Sequence, residues 1–173
     1  SRELAIANIK LGVLYDELGN LDRSSEIYQE TTRQLREMIT QWPDDESLVT
    51  TLASALSNSA SLRVKRGENR EGSAEVLESL ELFTRIQSRS ARNPELAIEM
   101  SNALNLAGII HFQEGRVQQA SENFQRGISQ FDQLLESDRE NPALRGARVA
   151  IGPRKSGDRN TIRDLRAQPP KVP

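Results

Sequence analysis

His111 is the single histidine of a 173-residue chain that has no cysteine, so acid–base, nucleophile-activating or thiolate chemistry has almost nowhere to centre. No serine nucleophile stands in a recognisable motif with it, and His111 falls among inward-facing helical positions, where packing is the expected role. The densest carboxylate group, Asp44, Asp45 and Glu46, has no further metal ligand beside it. It reads as a helix start, where acidic side chains meet free backbone amides and the positive dipole end. Ile151 to Ser156, IGPRKS, ends in the Lys-Ser of a phosphate-binding loop but lacks the glycine before the lysine and the preceding strand. Arg63, Lys65, Arg66 and Arg70 suit a phosphate or an acidic peptide, but Glu68, Glu71 and Glu75 are interleaved with them, which marks a solvated turn. Pro170, Lys171, Val172 and Pro173 have only the spacing of a proline-rich ligand. No catalytic residue, cofactor or metal site is assigned, and the chain is not expected to be an enzyme.

The elements that carry these residues are helices. Within and around 103–127, Leu96, Met100, Ala103, Leu104, Ala107 and Ile110 recur at spacings of three and four. Val117, Ala120, Phe124, Ile128, Phe131, Leu134 and Leu135 do the same beyond Gly115. Two amphipathic helices therefore fold back on each other, with a glycine where the chain must turn. The turn recurs: Gly19, Gly67 and Gly115 lie 48 residues apart. Leu4, Leu52 and Met100 keep that step, as do Ala7, Ala55 and Ala103, and Tyr28, Val76 and Phe124. Repeat one should turn Leu4, Ala7, Leu11, Leu14 and Tyr15 inward from a helix over 3–18, and Tyr28, Leu35, Met38 and Ile39 from one over 21–41. Trp42-Pro43 closes it, because a residue before proline leaves the helical region. Repeat two should bury Leu48, Leu52, Ala55, Leu56, Ala60 and Leu62. Gly72 in its second helix replaces a better helix former, so this repeat is expected to be the softest. Asn93-Pro94 and Asn141-Pro142 are read as unit ends.

The pattern resembles the tetratricopeptide repeat, whose leucine, glycine, aromatic and alanine positions are met by Leu104, Ala107, Gly108, His111, Ala120 and Phe124, and again by Leu11, Gly12, Tyr15 and Gly19. His111 stands where that family usually has tyrosine, and Asp132 where it usually has proline. The family period is about 34, so each helix here is longer by about two turns. The resemblance implies an all-α, right-handed α-solenoid of three antiparallel helix-turn-helix repeats. Their expected spans are 3–43, 45–93 and 95–141, with a partial capping helix at 143–150. The order QLREMITQWPDDESLVTTLASALSNSA is similar to the 48-residue arrays carried behind the kinase domain of planctomycete-type serine/threonine protein kinases, a bacterial setting. No glycine-rich loop, HRD or DFG sequence occurs here, so this stretch would be a recruiting or regulatory arm. In the family, ligands lie along the first helices, and the matching positions are Ile6, Ile9, Val13 and Asp16; Ser54, Ser57, Val64 and Lys65; Asn102, Asn105, Ile109, Phe112 and Gln113.

Composition agrees with a protein-binding scaffold. At 36% hydrophobic and 28% charged, the chain suits one soluble, cytoplasmic domain with a sizeable core and no membrane span. The first residues, Ser-Arg-Glu-Leu, are expected to lie inside a longer protein. Residues 143–173 hold eight basic and two acidic side chains, net +6, whereas 1–142 hold 15 and 23, net −8. Segment 151–173 is expected to be a solvated basic tail with no nucleic acid as partner. The expected function is capture of a peptide or partner protein in a concave groove; the alternative is a segment by which copies of the chain self-associate.

Overall fold

The computed structural model describes residues 1–89 and 93–137, and all the described elements are helices: α1 (Arg2–Glu17), α2 (Leu21–Gln41), α3 (Glu46–Lys65), α4 (Asn69–Gln87), α5 (Pro94–Gln113) and α6 (Val117–Ser137). The fold is all-α and built of packed helix pairs. None of the described helices is long and apolar enough to cross a membrane. The chain divides into two compact units, Ser1–Glu99 and Met100–Pro173. The expected capping helix at 143–150 and the basic segment 151–173 lie outside the described residues.

Each hairpin turns at its glycine. Gly19, Gly67 and Gly115 have φ of 76°, 79° and 75°, a left-handed conformation that only glycine adopts cheaply. The same two bonds close all three helices. Gly19 and Asn20 donate to the Asp16 and Tyr15 carbonyls, Gly67 and Glu68 to Val64 and Arg63, and Gly115 and Arg116 to Phe112 and His111. This pairing satisfies carbonyls that a helix end would leave unbonded. Starts are fixed as firmly: the Asp45 carboxylate accepts from the Ser47 and Leu48 amides at 2.9 and 3.2 Å, as the acidic triplet implied. Asn93, one period later, does the same for Glu95 and Leu96 at 3.0 and 3.2 Å. Asn93-Pro94 therefore opens α5 rather than closing the preceding unit, because proline's missing N–H costs nothing at a first helical position.

In the first unit the core gathers Ala5, Leu35, Leu48, Leu52, Ala55 and Leu56, with Ile9, Met38, Ile39 and Leu82 packed against it. All six residues expected inside repeat two are buried. Gly72 sits where the two helices of that repeat approach. A Cβ there would stand 3.1 Å from the Ala60 carbonyl oxygen and 3.3 Å from Val64 Cγ2, so the missing side chain lets α4 lie close on α3. In the second unit a Cβ on Gly108 would collide with the Phe124 ring, and the ring fills the room the glycine leaves. One expectation fails outright. Leu4, Leu11 and Leu14 are 55%, 41% and 50% exposed, and Ala7 is exposed as well. Their equivalents Leu52 and Leu62 in α3 are buried because α2 packs on that helix; among the described residues nothing plays this part for α1.

Candidate functional site

Between α1, α3 and the beginning of α5, all inside the first unit, lies a cleft of about 560 Å³. Ile6, Ile9 and Lys10 form the α1 wall; Thr50, Thr51, Ser54 and Asn58 the α3 floor; Asn93, Glu95, Leu96, Ile98 and Glu99 the α5 wall. All three helices are the first helices of their hairpins. Thr50, Ser54 and Asn58 recur every fourth residue, which sets them in one row along α3. The Thr50 hydroxyl donates to the Glu46 carbonyl at 2.7 Å, leaving its lone pairs as acceptors toward the cleft. Ile9 both lines the cleft and rests on the core, so this wall is anchored from behind.

Of the groove positions read from the sequence, Ile6, Ile9 and Ser54 line this cleft. Asp16 and Lys65 instead meet each other, Nζ to Oδ2 at 2.5 Å, and tie α1 to α3. Val64 turns its Cγ2 toward Gly72 of α4. Val13 and Ser57 are half-buried. In the second unit, Asn102 and Gln113 are exposed, and Asn105, Ile109 and Phe112 half-buried. Sequence reasoning missed Lys10, Thr50, Thr51, Asn58 and the whole α5 wall. The signal was present, since Thr50 and Asn58 are one helical turn either side of Ser54 and Asn93 is one period after the helix cap Asp45.

Of the basic run around Gly67, Arg63, Lys65 and Arg66 are already engaged by carboxylates. Arg63 pairs with Glu75 and Glu68, each at 2.8 Å, and Arg66 with Glu68 and Asp22, each at 2.7 Å. These charges pin α3 to α4 and α2. His111 is buried, and its Nδ1 lies 3.0 Å from Asn123 Nδ2. The amide can only donate there, so the ring nitrogen accepts and the imidazole is neutral. Burial first, and then the Arg116 charge, hold its pKa below the ordinary value of 6.5. That is a packing histidine, held by Asn123 and by the Gln119 backbone. No family model matches this sequence, and no curated protein matches it either.

Proposed function

We propose that the chain is a recognition module of the tetratricopeptide kind that holds an extended segment of a partner protein in the cleft between α1, α3 and the start of α5. The observation that carries this reading is the cleft itself: Ile6 and Ile9 on one wall, a row of hydrogen-bonding side chains along one helix, and a facing wall where Glu95 and Glu99 stand beside Leu96 and Ile98. That combination suits a peptide backbone with alternating side chains, and larger exposed apolar recesses mark interaction sites. The role is non-catalytic recruitment, as an arm of a longer chain such as a serine/threonine kinase. That parentage rests on the 48-residue period and its likeness to kinase-borne arrays. A photo-crosslinking residue at Ser54 is expected to trap a discrete partner segment, while one at Gln29 on the outer face of α2 does not. A synthetic copy of that segment should bind the wild-type chain and lose affinity at least tenfold with Ser54→Arg. Equal trapping at both positions, or affinity indifferent to Ser54→Arg, would remove the cleft reading.

A second reading is favoured by one observation. Leu4, Leu11 and Leu14 of α1, with Leu18 at its C-cap, form an exposed apolar stripe, spaced at 0, 7, 10 and 14 residues from Leu4, the spacing of a seam between paired helices. We infer that copies of the chain meet through it at high concentration.

A further inference from the structure

Resting on the reading of the cleft as a peptide site, we propose that its occupant is an extended segment in which basic side chains alternate with aliphatic ones. The floor fixes the backbone. Thr50 to Asn58 spans eight residues, or about 12 Å at 1.5 Å per residue, which an extended chain covers in three to four residues at about 3.3 Å each. Threonine lone pairs, a serine hydroxyl and an asparagine amide supply acceptors and donors in that row, as a strand backbone requires.

The walls differ, and the difference sets the side chains. Glu95 and Glu99 are on the α5 wall, and among the described residues no ion pair engages either. Asp16, Glu68, Glu75 and Glu78 of this unit each have a lysine or arginine partner; Glu71 and Glu81 of α4 have none either among the described residues, but unlike Glu95 and Glu99 they do not line the cleft. Glu95 lies in the first turn of α5, where the helix dipole also favours a carboxylate; Glu99 is a turn further in and has no such reason. Positions four apart on a helix stand about 6 Å from each other, and alternate side chains of an extended chain about 6.7 Å. Two basic residues at i and i+2 therefore reach Glu95 and Glu99 together. Residues i+1 and i+3 point the other way, to Ile6 and Ile9, where the Lys10 ammonium excludes further positive charge.

Three end-capped hexapeptides test this, alternating valine with lysine, with glutamine or with glutamate, titrated against the full chain by fluorescence anisotropy. The lysine peptide is expected to bind about tenfold more tightly than the glutamine peptide, as two new ion pairs allow, and the glutamate peptide weakest. Glu95→Gln with Glu99→Gln should bring the lysine peptide down to the glutamine value and leave the glutamine peptide unchanged. Glu71→Gln with Glu81→Gln, on α4, should do neither. Equal affinity for lysine and glutamine peptides, or an equal loss from the α4 pair, would overturn the basic-segment inference while the cleft reading stands. Binding of all three peptides that Ser54→Arg leaves untouched would instead overturn the cleft reading.

Discussion

At the scale of single residues, the same contact across a turn is built from different chemistry in successive repeats. Arg63 and Glu75 make an ion pair at 2.8 Å; one period on, His111 and Asn123 make a neutral hydrogen bond at 3.0 Å; one period back stand Tyr15 and Ile27. The inward position of His111 was legible from helical periodicity. Its partner was not, because nothing in a single helix says which residue lies across the turn, yet the constant offset of twelve about the turn glycine would have named it. The neutral histidine has a consequence for pH. Its folded pKa is lowered, so as pH falls below about 6.5 the unfolded chain takes up a proton that the folded chain refuses. Stability is therefore full above that pH and lost as pH drops toward the folded pKa. The thermal midpoint should decline between pH 7 and 5, and His111→Gln, which keeps a hydrogen-bonding group without titrating, should flatten the decline. An unchanged slope in the variant would place the proton elsewhere, since the lowered carboxylates Asp45 and Glu68 titrate further down.

Between elements, the close approach of paired helices is kept by exchanging bulk across the gap. Gly12 faces Tyr28 and Gly108 faces Phe124, whereas repeat two has Ala60 and Val76 at the same positions, both buried. Gly108→Ala should overpack the Phe124 ring and cost about 1 to 3 kcal/mol. Phe124→Val alone leaves a cavity and costs about 2 to 3 kcal/mol. The double variant copies the repeat-two pair, so urea denaturation should show it at least about 1 kcal/mol more stable than the sum of the two losses. Additive losses would mean that the exchange has no energetic content. Helix spans, glycine turns and the core of repeat two could all be read from period and capping residues. The close approach at Gly72 could not, because propensity describes one helix, and the atoms nearest this glycine belong to the second. Hydroxyls show the same limit. Ser79 donates to the Ala53 carbonyl at 2.7 Å and Ser101 to Gly127 at 3.3 Å, so one inter-helix bond runs from opposite sides in two repeats, and its direction is invisible to any single-helix pattern.

For the molecule as a whole, burial depends on neighbours that a repeat pattern does not supply. Leu4, Leu52 and Met100 are equivalent and alike, but only Leu4 is exposed, because α2 covers α3 and none of the described helices takes that place on α1. Four leucines, from 41% to 71% exposed, offer only a few hundred Å² per copy, well under the about 800 Å² per partner of a standard interface. Association through α1 alone should therefore be weak, with dimer appearing only at high micromolar concentration and above. Because the seam is apolar, added salt should not dissolve it, unlike an interface held by surface ion pairs. Leu11→Glu with Leu14→Glu should abolish the dimer in sedimentation equilibrium and leave helicity and thermal midpoint nearly unchanged, since exposed positions tolerate such changes within about 0.5 kcal/mol. A chain that stays monomeric at millimolar concentration would remove self-association as a reading. A dimer that survives both glutamates would move the interface off α1. Neither outcome touches the cleft, whose Ile6 and Ile9 lie on the opposite side of the helix from the leucine stripe.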